Sequence, residues 1–227
     1  MEELGRSAAD ELADKLAGSV VSGDLKAGER LVEADLAAQF SVSRGPVRSA
    51  LSTLHRLGLV ELLSKRGMVV VTLTASGVRD LYEVRIALER AAVERLTRAT
   101  DVDWSRARAK LENLEAADRS GNSVAVADSS LDFHRNLCAL AGNERLLRAW
   151  EAHSALIKLA MRMRQEAGGP VAVDPLQTDH RALVDTLMSK NPAPAIGLMV
   201  SHLEATRDDL VRILEASPSA EAERTSA

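Results

Sequence analysis

The amino-acid sequence predicts a mainly α-helical chain of two regions, with one short β-hairpin between them. Apolar residues recur at intervals of three and four through most of its 227 residues, which is the period of amphipathic helices. Two runs rich in Val and Leu, 59–63 and 68–73, have the length of strands and flank a turn. No strand pattern follows the second run. We therefore expect an N-terminal domain over 1–74, an all-α domain over 75–217 and a disordered polar tail over 218–227.

The composition excludes several classes of protein. Hydrophobic residues make up 46% of the chain, which is ample for a core, yet no apolar run approaches the length of a membrane span and no signal peptide is recognised. A single cysteine, Cys138, rules out an intrachain disulfide and suits the reducing cytoplasm, where we expect the protein to reside without a membrane partner. Aromatic residues are only 2%, which argues against a stacking platform for single strands. With a net charge of −4, any binding to DNA would depend on a local basic patch.

Residues 36–60 predict two helices joined by a short turn. The second helix buries one face through apolar residues at helical spacing, namely Val47, Ala50, Leu51 and Leu54. Ser43 can cap its start, and the opposite face carries Arg44 and Arg48 one turn apart. Two guanidinium groups at an exposed helix start can bind phosphates or the edge of guanine in the major groove. For such a pair alone, a solvated basic face on a core helix is the better interpretation. The flanking sequence has to decide between that interpretation and a DNA-binding helix.

The flanking sequence is a hairpin with a basic tip. The tip is formed by Ser64, Lys65, Arg66 and Gly67 between the two strand-like runs. Between Ser41 and Gly67 there are five Lys or Arg residues and one acid, Glu61, so positive charge is concentrated here within an acidic chain. The arrangement predicts a helix-turn-helix followed by a two-stranded wing.

A long ordered motif extends this pattern. It comprises Gly28-Glu29-Arg30-Leu31, Glu33, Leu36-Ala37, Val42-Ser43-Arg44-Gly45-Pro46-Val47-Arg48, Ala50-Leu51, Leu54, Gly58-Leu59-Val60 and Gly67. On these residues the segment from about 10 to 73 resembles the winged-helix domain of the GntR family of bacterial transcription regulators. The resemblance implies that Arg44 and Arg48 contact DNA, with Ser43 and Gly45 beside them. It also implies that the wing tip, with Lys65, Arg66 and Gly67, enters the minor groove. Some family members have a further arginine at the position that Ala34 occupies here. The DNA half-site therefore cannot be copied from relatives.

Beyond the wing, the pattern is helical throughout. Six helices are predicted, over 78–100, 103–119, 123–141, 144–166, 174–190 and 191–216. Gly- and Asn-containing breaks separate several of them, and Asn191-Pro192 marks the start of the last one. The C-terminal domain is therefore expected to be a bundle of about six helices.

Four histidines of this domain lie on apolar helix faces, namely His134, His153, His180 and His202. Any one of them alone is best interpreted as a hydrogen-bonded core residue. Several imidazoles converging in an apolar bundle would each need a partner, and one shared cation would supply it. The spacing leaves both interpretations open.

A second resemblance bears on these histidines. The residues that carry it are Arg85 and Glu89 in VRIALERAA, Phe133-His134 and Gly142-Asn143, Asp179-His180, and Ser201-His202-Leu203. They resemble the ligand-sensing C-terminal domain of the FadR subfamily, in its shorter six-helix, VanR-like form. Many such domains bind a divalent cation through one aspartate and three histidines. The resemblance implies that His134, His180 and His202 are the metal ligands, with zinc or nickel as the favoured ions.

The aspartate of that pattern is absent, because its position is occupied by Ser130. A serine hydroxyl is a poor ligand at neutral pH, although it could hold a metal-bound water. Cys138 or His153 could replace the lost ligand. The alternative is a cluster that has lost its metal and binds an organic anion directly.

Arg85 allows two interpretations. It can form an ion pair with Glu89 one turn later, or its guanidinium can bind a ligand carboxylate inside the bundle. The resemblance favours the second, so Arg85 and Ser130 are our candidate effector-binding residues. Metal and arginine together imply that the effector is a small organic acid.

We therefore predict a homodimeric transcription regulator, most often a repressor in this family, that binds a pseudo-palindromic double-stranded operator. A small carboxylate in the C-terminal domain would modulate operator binding. The alternatives are a metal-free effector sensor of the same architecture and, less favoured, a three-histidine metalloenzyme. We do not expect an enzyme, because Ser130 lacks any evident activating base and no acid or base stands out near His134.

Overall fold

The structure, a computed structural model, describes residues 7–63, 67–167 and 175–216, with the backbone alone described at 123 and 175–179. The chain divides into two compact units, Met1–Leu73 and Thr74–Ala227. The predicted tail over 218–227 lies outside the described residues, as do the tip residues Ser64, Lys65 and Arg66.

The first unit contains three helices and three strands. In chain order they are α1 (Ala8–Ser22), β1 (Arg30–Leu31), α2 (Glu33–Gln39), α3 (Arg44–Arg56), β2 (Val60–Leu63) and β3 (Gly67–Val70). Ser7 caps α1 in a reciprocal capping box with Asp10. Both α1 and α2 pack against α3, whose apolar face is completely buried. This arrangement confirms the winged helix-turn-helix.

The wing sheet has one strand more than the two that the sequence predicts. Its order is β1-β3-β2 with antiparallel pairing throughout, and Arg30 and Leu31 of β1 lie opposite Val69 and Met68 of β3. A strand of two residues is too short to show the alternation of apolar and polar side chains that identifies a strand in a sequence. Its pairing depends on a partner distant in the chain, which only the folded unit provides.

The turn from α3 into the wing requires a glycine. Gly58 has a φ of 71°, in the left-handed region that residues with a Cβ rarely adopt. Immediately after it, the amide of Leu59 donates to the carbonyl of Leu54, and the carbonyl of Leu59 accepts from the amide of Val71. The glycine therefore lets α3 end and the sheet begin without a connecting loop.

The second unit is an all-α bundle. Its helices in the described residues are α4 (Ala75–Arg98), α5 (Trp104–Arg119), α6 (Ser123–Leu140), α7 (Glu144–Glu166), α8 (Pro175–Met188) and α9 (Pro192–Ala216). The predicted number of helices is confirmed, and each observed end lies within three residues of its prediction. Side chains that favour helix starts cap four of them, namely Thr74, Asp103, Asn122 and Asn143.

Helix α4 is central to the packing of the bundle. It contacts α6, α7, α8 and α9, while α5 covers α6 and α8. Large side chains that are almost fully buried fill the centre, among them Tyr82, Phe133, Trp150, Ile157 and Leu187. No helix of the described residues is both long enough and apolar enough to span a membrane.

Candidate functional site

Helix α3 presents a polar face to solvent because its apolar face is buried in the first unit. Val47 and Leu54 are fully inaccessible, whereas Ser43, Arg44 and Gly45 at its start are exposed. Ser43 occupies the N-cap position, but among the described contacts its side chain makes no capping hydrogen bond. The start of the helix therefore offers exposed guanidinium and hydroxyl groups, which is the arrangement that a reader of duplex DNA requires.

Arg48 is exposed and is also held by a carboxylate of the neighbouring helix. Its Nε and Nη2 donate to the two carboxylate oxygens of Glu33 in α2, at 3.3 and 3.1 Å, while the Arg48 side chain remains 74% exposed. The hydrogen bond from Arg48 lowers the pKa of Glu33. The sequence motif includes both Arg48 and Glu33, but their contact could not be predicted, because the two residues lie on different helices and only the angle between those helices brings them together.

At the wing, the structure describes one of the three predicted contact residues. Gly67 opens β3 with a φ of 71°, a conformation suited to glycine at the end of a tight hairpin. Lys65 and Arg66 lie outside the described residues, so their role in DNA binding stays a prediction.

Three histidines from three helices meet inside the second unit. His134 of α6, His180 of α8 and His202 of α9 are 0%, 3% and 6% exposed, and one ring nitrogen of each lies within 4.8 Å of the others. We call these three side chains the imidazole cluster. The Nε2 atoms of His134 and His180 are 3.2 Å apart. The rings of His134 and His202 are nearly parallel, and that of His180 stands almost perpendicular to both.

The cluster forms because each histidine lies on the apolar face of its helix. His134 lies beside Leu137 in α6, and His180 beside Leu183 and Val184 in α8, so burial of these leucines and valine carries the imidazoles inward. Phe133 packs edge-on against the rings of both His134 and His180. Apolar packing therefore brings together polar groups that would each be costly to bury alone.

The donor set suits a divalent metal ion. Two imidazole nitrogens that each lie about 2.0–2.1 Å from a tetrahedral zinc are separated by roughly 3.3 Å, close to the observed separation of His134 and His180. Burial lowers the pKa of His134 to about 4 despite the opposing influence of a nearby carboxylate, so this imidazole is neutral at pH 7 and able to coordinate. His134, His180 and His202 could thus hold a metal and leave coordination positions open.

The carboxylate beside His134 is Glu89 of α4, which sequence reasoning considered only as a partner of Arg85. Its Oε2 accepts from His134 Nδ1 at 2.5 Å, and its Oε1 accepts from Arg85 Nε at 2.7 Å and Trp150 Nε1 at 2.8 Å. Burial alone would raise the pKa of Glu89, but its partners His134 and Arg85 outweigh burial and hold that pKa well below its usual range. The carboxylate is ionised, and every contact it makes here is with a donor.

Arg85 lies at the same buried junction. Its side chain is 3% exposed, pairs with Glu89, and donates to the hydroxyl of Tyr82 at 3.4 Å, with the guanidinium 5.3 Å from the Tyr82 ring centre. The ion pair with Glu89 therefore exists, and it is buried rather than superficial. The role of Arg85 in binding an effector carboxylate stays a prediction.

The remaining sequence candidates near the cluster are Ser130, Cys138 and His153. Ser130 is half-buried in α6, one turn before His134, and its acidic neighbours Asp128 and Asp132 pair instead with Lys158 and Lys110. Among the described residues, the group that could hold a metal comprises the imidazole cluster and neither Cys138 nor His153.

The two proposed replacements for the missing ligand, Cys138 and His153, have different surroundings. His153 places its Nδ1 2.8 Å from the carbonyl of Ala149 in its own helix. Burial raises the pKa of the Cys138 thiol, which favours its protonated form while no metal is bound.

Comparisons with known proteins agree with this geometry. The family described as "Bacterial regulatory proteins, gntR family" matches residues 8–70, and the FCD domain matches residues 80–205. The chain belongs to the GntR family of regulators with an FCD domain. It is thus a DNA-binding transcription regulator rather than an enzyme, as the sequence predicts.

Individual relatives of this GntR regulator extend along almost its whole length. An uncharacterized HTH-type transcriptional regulator of Bacillus subtilis, YdhC, is 28% identical over 89% of this chain and 90% of its own. The gluconate operon transcriptional repressor of the same organism is 27% identical over 88% of this chain and 82% of its own. Among solved structures, a GntR transcriptional regulator from Rhodococcus sp. RHA1 has a TM-score of 0.76 at 25% identity, covering 91% of this chain and 98% of its own.

Proposed function

We propose that this GntR regulator is a homodimeric repressor that binds a pseudo-palindromic operator through α3 and the wing. The observation that carries the DNA-binding role is the exposure of Arg44 and Arg48 on a helix whose other face is completely buried. A two-fold dimer would present two such helices to successive major grooves, which requires half-sites about one helical turn apart or a multiple of it.

In this proposal the FCD domain senses a small organic acid. The imidazole cluster would hold zinc or nickel with open positions, and a carboxylate of the effector would complete the coordination that Ser130 leaves unfilled. Arg85 lies in the same buried network, and in this proposal its guanidinium, now paired with Glu89, would also bind that anion. The effector would change operator affinity only through its different affinity for the DNA-bound and free arrangements of the dimer. A relative named for the gluconate operon, whose namesake is a carboxylate, supports this class of effector.

The DNA-binding proposal is tested by replacing each arginine of α3. We expect Arg48→Ala to weaken binding to an operator, selected from a random duplex pool with the unaltered protein, by about 1–3 kcal/mol if the side chain reads a base. Fluorescence anisotropy at several salt concentrations measures both the affinity and the salt slope. Arg90→Ala, which removes an exposed arginine of α4, is the matched control and should change neither quantity. Unaltered affinity and slope for both Arg44→Ala and Arg48→Ala would exclude α3 as the recognition helix.

The alternative of a metal-free sensor is favoured by one observation, the serine in place of the aspartate. Elemental analysis of the purified protein after dialysis against trace zinc and nickel separates the two versions. We expect about one metal ion per chain, lost in His180→Ala because one of the three imidazoles is removed. A protein that holds no metal before this substitution would support direct binding of an anion by the imidazoles.

A further inference from the structure

The carboxylate of Glu89 is the junction of a buried hydrogen-bond network. It is 1% exposed, and its two oxygens have different partners. Oε1 receives two donors, Arg85 Nε and Trp150 Nε1, and Oε2 receives one, His134 Nδ1. The N–H groups of Arg85 and Trp150 can only donate hydrogen bonds. Together they therefore determine the orientation of the carboxylate.

The contact between Glu89 and His134 determines where the imidazole carries its proton. Glu89 forms a buried ion pair with the Arg85 guanidinium, and a carboxylate in such a pair only accepts, so the Nδ1 of His134 at 2.5 Å is assigned as the protonated nitrogen. A neutral imidazole has one proton, and the Nε2 of His134 is therefore an unprotonated lone pair. That atom is the one 3.2 Å from the Nε2 of His180.

We propose that Glu89 is a positioning residue of the imidazole cluster, which holds His134 as the Nδ1–H tautomer so that its Nε2 lone pair faces His180 and His202. The inference rests on the proposed function insofar as the lone pair is assigned to a divalent metal ion. It assigns a role to a residue of α4, a helix that contributes none of the three imidazoles.

The charge of Glu89 gives this role a second consequence. A carboxylate that accepts from the far nitrogen of a metal-binding imidazole raises the basicity of that ligand and orients its ring. Ser130 brings no negative charge to the metal-binding positions. Glu89 has a negative charge, and it is separated from those positions by the imidazole of His134 and one hydrogen bond. Through its other oxygen, the same carboxylate accepts from Arg85, so Arg85 and His134 share one hydrogen-bond acceptor group.

Glu89→Gln reverses the tautomer without changing the size of the side chain. The glutamine has one carbonyl oxygen, and the two donors Arg85 and Trp150 require it at the position of Oε1. Its NH2 group then faces His134 Nδ1, which must become the acceptor. His134 consequently carries its proton on Nε2, the nitrogen that would bind the metal.

The tautomer is measured in the metal-free protein with ¹⁵N-labelled histidine, using long-range proton–nitrogen correlations assigned with a His134→Asn variant. We expect a protonated Nδ1 and an unprotonated Nε2 for His134 in the unaltered chain, and the reverse in Glu89→Gln. Should Glu89→Gln not fold, the unaltered chain alone decides the matter. A His134 protonated on Nε2 in the unaltered chain overturns the inference.

Metal affinity is measured by titration with Co²⁺, which accepts imidazole ligands and reports its coordination through visible absorption. Glu89→Gln should weaken Co²⁺ binding by about 10–100-fold. Glu94→Gln, the same substitution on the same helix at a surface pair with Arg90, is the control and should bind Co²⁺ like the unaltered chain. Equal affinity in Glu89→Gln and Glu94→Gln overturns the positioning role. If Co²⁺ binds none of the chains, the metal part of the proposed function fails, while the tautomer measurement still decides the role of Glu89.

Discussion

At the scale of single residues, the exposed face of α3 combines a positive charge with a restraint on it. The Arg48 guanidinium is solvent-exposed, but its two contacts with Glu33 limit the rotamers it can adopt. An exposed ion pair of this kind contributes little to folding stability, because water screens the charges and ordering two long side chains costs entropy. Its effect should instead appear in recognition, where an oriented guanidinium distinguishes bases better than a freely rotating one.

Glu33→Gln is expected to reduce the preference for operator over random DNA while leaving the melting temperature unchanged. The substitution releases Arg48 from its fixed orientation and removes a negative charge near the phosphates, so non-specific affinity rises as specific contacts weaken. Anisotropy titrations with operator and random duplexes give the ratio of the two affinities. Asp35→Asn, which neutralises an exposed acid of the same helix, is the control, and a ratio equal to that of the control would contradict the idea.

At the scale of elements, two helices that both have a hydroxyl residue at the N-cap position differ in their caps. The Thr74 hydroxyl accepts from the amide of Gly77 at 3.0 Å and so satisfies an otherwise unpaired donor at the start of α4. Ser43 occupies the equivalent position before α3 but makes no such bond among the described contacts. Because Pro46, the third residue of α3, has no N–H, the start of this helix offers the Ser43 hydroxyl and the amides of Arg44 and Gly45 to a phosphate.

Thr74→Ala should therefore lower the free energy of unfolding by about 0.5–2 kcal/mol, the usual loss for a bonded cap. Ser43→Ala should cost clearly less, because no capping bond is lost, although it should weaken operator binding. Urea unfolding monitored by circular dichroism measures the first quantity and anisotropy the second. An equal loss of stability in the two variants would show that Ser43 caps α3 in solution.

At the scale of the whole molecule, the imidazole cluster connects α6, α8 and α9, and Glu89 adds α4. A metal ion bound by the three imidazoles would therefore hold together helices that are distant in the chain. Because the unfolded chain has no such site, the binding free energy would be added to the stability of the C-terminal unit. An effector bound to such a metal ion would contact several helices through the same three imidazoles.

Zinc or nickel at 100 times its dissociation constant should stabilise the protein by about 2.7 kcal/mol, and a chelator should remove the gain. Differential scanning calorimetry with and without EDTA measures the shift. His180→Ala should melt at the same temperature in both conditions. A metal-dependent shift that survives this substitution would place the metal elsewhere in the chain.

The helices of the bundle, the recognition helix and two of the three strands were predictable from the sequence alone, as were the inward faces of the helices. Apolar spacing is a local property, so it located α3 with Arg44 outside, and it located the six helices of the bundle with their histidines on apolar faces. The family resemblance added which three of the histidines to consider, and the structure brings those three together.

Tertiary structure alone decided which side chains on different elements meet. The pairing of β1 with β3, the contact of Arg48 with Glu33 and the contact of Glu89 with His134 all join residues far apart in the chain. No local period encodes such contacts, because they depend on the angles and distances at which packed helices and strands cross. Helix packing also buries Arg85 and Glu89. It thereby makes an ordinary i, i+4 pair the centre of a polar network.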